Sequence, residues 1–274
     1  MASIILLPLS SQTGIAKDIP YAESGDPLQR LDLYCPAKKQ FPTIVYLHEG
    51  SLKGGDKSEP PYSKIAEAFQ SHGVGFALVN YRLFPANPWP APIQDASRAF
   101  KWVKTHIQSM GGDPSQVYVM GHSSGAQLAG LLSTDVSYLK ANNLGLRDIA
   151  GTILMGTLMS DPLQIGGRSK ESQEKMWAKY LKPDWPSADA FVQAWPMAHI
   201  NKDIPRMLIL IAEAETTNPP ILSQAIEYEK ACEALGVSIH HEVLPNRTHM
   251  TAMQKLCEAG DPNTRLILDF LRIR

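Results

Sequence analysis

The segment Gly121-His122-Ser123-Ser124-Gly125 holds a serine between two glycines in the pattern Gly-x-Ser-x-Gly. It follows an apolar, β-prone run (117–120) and precedes a helix-prone run (126–132). A serine at the sharp turn between a strand and a helix is exposed at the end of a sheet, and the flanking glycines keep neighbouring Cβ atoms away from it. N–H groups at the helix N-terminus can then stabilise the oxyanion that forms when the serine attacks a carbonyl carbon. In this context the pattern predicts that Ser123 is a nucleophile; a chance match in a turn is the alternative.

A serine becomes a good nucleophile only when a base takes its proton and an acid orients that base. With this strand-turn-helix motif, the acid and then the histidine follow the serine along the chain. His249 lies in the loop after the last predicted strand (238–244), so we predict that it is the general base. Glu213 and Glu215 both follow the preceding predicted strand (207–211), and either could be the acid. We favour Glu215, which lies further beyond the strand and 34 residues before the histidine.

Two N–H donors are expected to hold the oxyanion. One is the backbone N–H of Ser124, directly after the nucleophile. The other is expected from the loop His48–Asp56, which leaves an earlier predicted strand and is rich in small residues. Gly50 or Ser51 can present its N–H there without obstruction. A simple glycine-rich connection is the alternative interpretation of this loop.

Short apolar segments alternate with helical patterns along most of the chain, which predicts an α/β fold with a mostly parallel sheet covered by helices on both faces. The alternating segment Leu31–Tyr34 is predicted to be an edge strand. The other predicted strands are 43–48, 75–81, 117–120, 149–155, 207–211 and 238–244. Helices are predicted over 61–71, 92–108, 126–132, 220–235 and 262–274. We expect one domain over residues 1–274.

No strand pattern is visible between residues 157 and 203, where aromatic side chains gather. An aromatic insertion above the active edge of a sheet can form a lid over the site. Trp177 and Trp185 are therefore candidates for contact with a substrate. The alternative is that these aromatic residues only pack the insertion against the rest of the domain, and the two interpretations are compatible.

The net charge of −1 gives no electrostatic reason to expect nucleic acid or an anionic membrane as a partner. Three widely spaced cysteines, Cys35, Cys232 and Cys257, indicate neither a disulfide framework nor a zinc site and favour a reducing compartment. The apolar opening (1–8) lacks the basic region and the length of a signal peptide, and no segment approaches 18 apolar residues. We therefore expect a cytoplasmic protein that acts on a small molecule, with no membrane span, metal or cofactor.

The chain resembles α/β hydrolases of the hormone-sensitive-lipase-like carboxylesterase group, including its short members that are similar to kynurenine formamidases and feruloyl esterases. The resemblance covers roughly residues 18–274. Its motifs are Leu31–Pro36, the oxyanion loop His48–Asp56, Asn80–Pro85 with Pro90, Asp95 and Trp102 beyond it, Gly111–Pro114, Gly121–Gly125 and Ala212–Glu215. It implies an α/β-hydrolase fold and cleavage of a small carboxylic ester or amide by Ser123, Glu215 and His249. Relatives of this kind include monomers and dimers, so we expect a monomer or a homodimer.

Two departures from the group's pattern bear on the chemistry. In the His-Gly-Gly-Gly oxyanion motif, Glu49 and Ser51 replace the first and third glycines. At the position of the acid, Glu215 replaces the commoner aspartate. A carboxylate at position 49 would repel the developing oxyanion unless it points away or is protonated. Together with His48, it could instead tune the site, recognise a substrate cation or act as an acid or base. Three hypotheses follow: a serine hydrolase, a non-hydrolytic enzyme that keeps the three residues for elimination, condensation or cyclisation, and a non-catalytic binding protein.

Overall fold

A computed structural model describes residues 14–163, 169–217 and 220–272 of the chain, and the opening segment 1–8 lies outside these residues. One eight-stranded sheet has the order β1-β2-β4-β3-β5-β6-β7-β8. Its first three strands pair antiparallel, and all the other pairs are parallel. The strands are β1 (Gly14–Pro20), β2 (Arg30–Cys35), β3 (Phe41–Leu47), β4 (Gly75–Val79), β5 (Gly112–His122), β6 (Thr152–Met155), β7 (Met207–Ala212) and β8 (Ile239–Leu244). The predicted α/β fold with a mostly parallel sheet is confirmed.

Helices cover both faces of this sheet, so its central strands β3 and β4 are mainly apolar and are buried along their whole length. One large apolar cluster includes the buried side of α2, and a second cluster on the opposite face includes the buried sides of α1 and α9. In the described residues the α-helices are α1 (Tyr62–Ser71), α2 (Ala91–His106), α3 (Ser124–Leu132), α4 (Val136–Lys140), α5 (Lys170–Met176), α6 (Ala188–Val192), α7 (Ile221–Glu233), α8 (His249–Gln254) and α9 (Pro262–Phe270). None of the helices among these residues is long and apolar enough to cross a bilayer.

The prediction that Leu31–Tyr34 forms an edge strand is wrong. These residues belong to β2, which pairs with β1 on one side and with β4 on the other. The misleading signal was Asp32, whose polarity suggested an exposed face. Its carboxylate is buried and accepts a hydrogen bond from Lys57 Nζ at 2.7 Å. The edge is β1, in which Lys17 and Asp18 interrupt the apolar residues and leave no clear strand pattern.

The described part of the insertion 157–203 contains no strand, as predicted; its helical segments are α5, a π-helical turn (Trp177–Leu181), α6 and a 3₁₀ turn (Pro196–His199). Trp185 anchors it to the domain. Its ring stacks on Trp89 at 4.4 Å between centroids and meets the edge of Phe84 at 5.6 Å. Trp177 packs against Phe191 within the insertion, with ring centroids 6.3 Å apart.

All three cysteines are free thiols: Cys35 and Cys232 are buried, and Cys257 is partly buried. Burial raises the pKa of the Cys35 thiol to about 12. A protonated thiol is a weak nucleophile and a poor metal ligand. The reducing compartment and the single-domain organisation over 1–274 stay predictions.

Candidate active site

Ser123 lies at a strained turn between β5 and α3, with φ 53° and ψ −122°. The chain passes so close to itself here that the flanking residues must be glycine. A Cβ atom on Gly121 would lie 2.2 Å from the carbonyl oxygen of Gly125, and one on Gly125 would lie 2.1 Å from that of Leu47. The spacing of the Gly-x-Ser-x-Gly pattern is thus a packing requirement of this turn. Only a tight connection of this kind carries the serine directly from the end of a buried strand to the start of a buried helix.

His249 and Glu215 form a close pair. His249 is the first residue of α8, and its Nδ1 lies 2.5 Å from Glu215 Oε1. The other carboxylate oxygen of Glu215 accepts the N–H of Ala212 at 3.1 Å, so both oxygens are held. The hydrogen bond that His249 donates to Glu215 raises the pKa of the imidazole, although partial burial opposes the shift. The carboxylate thus fixes the ring orientation and favours the protonated imidazole, as a triad acid does.

The alternative acid, Glu213, faces elsewhere. Its side chain is exposed and accepts the N–H of Asn246 at 2.8 Å. It helps to fix the loop that leads from β8 to α8, where the neighbouring Ala214 N–H also bonds the carbonyl of Arg247 at 3.2 Å. Of the two candidates, Glu215 makes the contact with the imidazole.

Ser123, Glu215 and His249 line one cavity with a volume of about 690 Å³. They reach it from three separate segments, each of which follows the carboxyl end of a parallel strand, namely β5, β7 and β8. Much of the remaining wall is apolar and includes Leu52, Phe84, Leu158, Trp185, Phe191 and Trp195. The cavity can therefore hold an apolar group beside the hydroxyl, the imidazole and the carboxylate.

Gly156, directly after β6, also lines this cavity and was missed by sequence reasoning. It has a positive φ of 61°, and a Cβ atom there would lie 3.0 Å from His249 Nδ1 and 3.3 Å from Glu215 Oε1. The absence of a side chain leaves room for the imidazole–carboxylate pair. The available signal was a glycine at the end of a buried strand, where close approach of another group is common.

The loop after β3 has an unusual backbone. Gly50, Ser51 and Leu52 all have positive φ values, of 121°, 58° and 61°. A Cβ on Gly50 would lie 2.1 Å from the carbonyl oxygen of Gly54, so glycine is required there. Ser51 and Ser124 line the cavity beside Ser123, and the Leu52 N–H bonds Ser124 Oγ at 3.3 Å. Because Ser124 is the first residue of α3, its N–H has no acceptor within the helix.

His48 and Glu49 are the first two residues of this loop but do not line the cavity. His48 is buried, its ring stacks on Tyr81 at 4.4 Å between centroids, and its Nδ1 lies 2.7 Å from the carbonyl oxygen of Glu49. The Glu49 carboxylate points away from the cavity: Oε2 lies 3.3 Å from the hydroxyl of Tyr46 and 3.3 Å from His122 Nδ1. This placement does not favour the predicted substrate-contacting role for either residue.

Of the two tryptophans predicted to contact a substrate, Trp185 lines the cavity and Trp177 does not. The insertion also supplies a charged group that sequence reasoning missed. Asp184, nearly buried, pairs with Lys53 of the loop after β3 at 2.6 Å, and both side chains line the cavity. A salt bridge thus connects the insertion to the loop beside Ser123.

Within the described parts of the chain, no three His, Cys, Asp or Glu side chains are grouped so that they could hold a metal ion. The polar groups that line the cavity are those of acid–base and nucleophilic chemistry. Besides the Lys53–Asp184 pair, they include a hydroxyl, an imidazole, a carboxylate and the backbone N–H groups at a helix N-terminus.

The sequence is similar to those of known proteins. Residues 31–229 match the BD-FAE family model. Carboxylesterase NlhH of Mycobacterium tuberculosis is 35% identical over 165 residues, covering 58% of this chain and 46% of its own length. Kynurenine formamidase of Salmo salar is 26% identical over 258 residues, covering 93% and 81%. The chain thus spans less than half of the first relative and most of the second.

The fold is also found among solved structures. An esterase from Thermogutta terrifontis, Est2, superposes with a TM-score of 0.73 over 94% of this chain and 91% of its own, at 19% identity. At this level of identity the match shows a shared fold. The family model covers well over half of the sequence and includes both Ser123 and Glu215. The chain therefore belongs to the BD-FAE family of α/β hydrolases.

Proposed function

We propose that this protein is a serine hydrolase that cleaves a small carboxylic ester, with Ser123 as nucleophile, His249 as general base and Glu215 as the acid that orients it. The observation that carries the proposal is the pairing of Glu215 with His249 on the wall of the same cavity that Ser123 lines. The esterase names of several relatives support the reaction class.

In the proposed reaction, Ser123 Oγ attacks the carbonyl carbon and its proton passes to His249 Nε2. Glu215 accepts the Nδ1–H and stabilises the imidazolium that forms. The carbonyl oxygen becomes an oxyanion, which the N–H groups of Ser124 and of Gly50 or Ser51 hold. Collapse of this intermediate expels the alcohol, which takes the proton from His249. A water molecule then gives its proton to His249, attacks the acyl-enzyme and releases the acid and free Ser123.

The cavity supports a substrate with an apolar group. Its volume of about 690 Å³ lies in the range of small-molecule sites. Aromatic side chains, among them Phe84, Trp185 and Phe191, supply much of the wall. The relatives named kynurenine formamidases, by that name, act on an amide, so we include small amides among the candidate substrates. A small molecule as partner and a monomer or homodimer as assembly stay predictions.

The non-hydrolytic alternative depended on Glu49 as an additional acid or base beside the reacting atoms. Its carboxylate faces Tyr46 and His122 and does not line the cavity, which removes the reason for preferring that alternative. The binding-protein alternative requires that the imidazole and the hydroxyl have no chemical role. The close Glu215–His249 pair argues against it, because such a pair stabilises a protonated imidazole.

A panel of p-nitrophenyl esters tests the proposal, with wild type, Ser123→Ala and an exposed-serine control, Ser71→Ala. We expect turnover that Ser123→Ala lowers by about 10³-fold or more and that the control leaves unchanged. Wild type should also be labelled by a fluorophosphonate, and Ser123→Ala should not. Labelling without turnover of any ester or anilide in the panel would favour the non-hydrolytic alternative. If wild type shows neither labelling nor turnover, the proposal is refuted.

A further inference from the structure

A second imidazole lies directly behind the proposed base. His122, the last residue of β5, is completely buried, and its ring centroid is 4.6 Å from that of His249. Its Nε2 lies 2.9 Å from the backbone carbonyl oxygen of His249. A carbonyl oxygen can only accept, so Nε2 carries the proton and donates it. This contact holds the backbone of His249 where α8 begins.

The other nitrogen of this ring faces Glu49. His122 Nδ1 is buried and makes no hydrogen bond of good geometry to any described residue. The group beside it is the Glu49 carboxylate, whose Oε2 lies 3.3 Å away. The hydroxyl of Tyr46 donates to the same oxygen, and that of Tyr62 also bonds this carboxylate. The carboxylate lies within ion-pair distance of the ring on the side opposite to the His249 carbonyl, where it attracts a ring that carries protons on both nitrogens.

We propose that Glu49 and His122 are positioning residues for His249, with His122 holding its backbone carbonyl and Glu49 holding the His122 ring in the orientation that this requires. The inference deepens the proposed function and rests on it for its activity readout. His249 is then supported twice: Glu215 fixes its ring through Nδ1, and His122 fixes its main chain. The proposal assigns a role to the glutamate at position 49, where the pattern of the carboxylesterase group that the sequence resembles has the first glycine of the oxyanion motif.

The electrostatics agree with this arrangement. Burial acts to raise the pKa of Glu49, but the adjacent His122 ring and the hydroxyl of Tyr62 lower it to about 2. Glu49 is therefore ionised, and a buried carboxylate needs partners to remain so. The charged and titratable groups that act on His249 are Glu215, Glu49 and the adjacent ring of His122. Loss of the Glu49–His122 contact would leave both groups poorly compensated.

Catalysis is sensitive to such a support. A displacement of about 1 Å in a reacting group can lower the rate about 10²-fold, even when the mutation lies away from the chemistry. Because His249 takes part in proton transfer and does not supply the apolar wall, its displacement should lower kcat and leave KM nearly constant. A role limited to folding would instead lower stability without this split.

Two substitutions of His122 form a matched pair. The amide nitrogen of glutamine reaches the position of Nε2, so His122→Gln can keep the hydrogen bond to the His249 carbonyl. The shorter side chain of His122→Asn places its amide near Nδ1 and loses that bond. We expect His122→Asn to lower kcat by about 10- to 100-fold with KM within about twofold, and His122→Gln to recover most of the loss. Equal kcat values for the two folded variants would overturn the proposal.

Glu49 supplies an independent pair if the His122 variants do not fold. Glu49→Gln keeps the shape of the side chain and its contacts with the ring, whereas Glu49→Ala removes them. We expect kcat to decrease more in Glu49→Ala than in Glu49→Gln, again at nearly constant KM. An unchanged kcat in Glu49→Ala would overturn the assignment of this residue.

Proton NMR separates this inference from the proposed function. The proton in the 2.5 Å contact between His249 and Glu215 should give a far-downfield signal that does not depend on turnover. His122→Asn should shift or broaden this signal, and His122→Gln should keep it. A protein with no esterase activity but with this pattern would refute the function and support the positioning role. An unchanged signal in His122→Asn would refute the positioning role whatever the activity.

Discussion

Substitution of Gly156 by alanine should disturb the proposed catalytic pair with little effect elsewhere. The added Cβ would lie 3.0 Å from His249 Nδ1, 3.2 Å from Cε1 and 3.3 Å from Glu215 Oε1. Favourable separations between non-bonded heavy atoms are roughly 3.5–4.0 Å, so the imidazole and the carboxylate must retreat by several tenths of an ångström. Such a shift moves Nε2 relative to the serine hydroxyl.

The expected loss follows from that displacement. A misplacement of about 1 Å can lower the rate about 10²-fold, so we expect kcat to decrease by about 10-fold at nearly constant KM. The alanine must also adopt a φ near 61°, which costs about 1–2 kcal/mol of folding free energy. Both quantities can be measured on the same preparation, the first with a p-nitrophenyl ester and the second by denaturant unfolding.

Gly236 provides the control. Its φ is 75°, and a Cβ atom there would meet nothing within 4 Å. Gly236→Ala should therefore show a similar loss of stability without a loss of kcat. If Gly156→Ala and Gly236→Ala have kcat values within about twofold of each other, the clash with the imidazole–carboxylate pair has no catalytic consequence, and the reasoning from this distance is wrong.

Two further substitutions test the charges around the cavity. Glu215→Gln removes the carboxylate that raises the pKa of His249. Because the base must be unprotonated, the acid limb of the pH profile of kcat/KM should move to lower pH. The value of kcat/KM should fall by about 10²- to 10⁴-fold. Rates measured between about pH 5 and pH 8 check the direction, and a limb that stays or moves to higher pH would contradict it. Lys53→Met leaves the buried Asp184 carboxylate unpaired and should lower the free energy of unfolding by about 1–2 kcal/mol. Adding Asp184→Asn should restore part of that loss in denaturant unfolding, and a further loss of similar size would show that the pair does not couple.

The sheet and the turn at Ser123 could be anticipated because local rules determine both. A continuously apolar strand indicates that helices cover both faces of the sheet. The glycines on either side of the serine indicate that the backbone passes close to itself. A Cβ atom added to either glycine would lie only 2.1–2.2 Å from a backbone carbonyl oxygen. Since these signals lie within a few residues of each other, they can be recognised without knowledge of the rest of the chain.

Features that depend on contacts between distant segments could not be read in this way. Asp32 suggested an edge strand with an exposed face, but its carboxylate is buried. Its partner, Lys57, is 25 residues away in the sequence, so no local pattern indicates that the charge is compensated. The salt bridge between Lys53 and Asp184 joins two segments whose relative position no local pattern encodes. The direction of the Glu49 side chain was equally hidden: its position in the oxyanion loop suggested a charge in the cavity, but its carboxylate lies behind the cavity against His122.

The glutamate at position 215 shows how a longer side chain can serve where aspartate is commoner. Residues Glu213–Glu215 form a short 3₁₀ turn directly after β7, and this turn brings the side chain back toward the end of its own strand. One carboxylate oxygen bonds the Ala212 N–H at 3.1 Å, which leaves the other in place for His249 at 2.5 Å. The turn thus accommodates the extra methylene group of glutamate. The hydrogen bond to the Ala212 N–H restricts the additional side-chain rotation that this methylene would allow. Gly156 completes this arrangement, because only a residue without a side chain lets the pair occupy the space above β6.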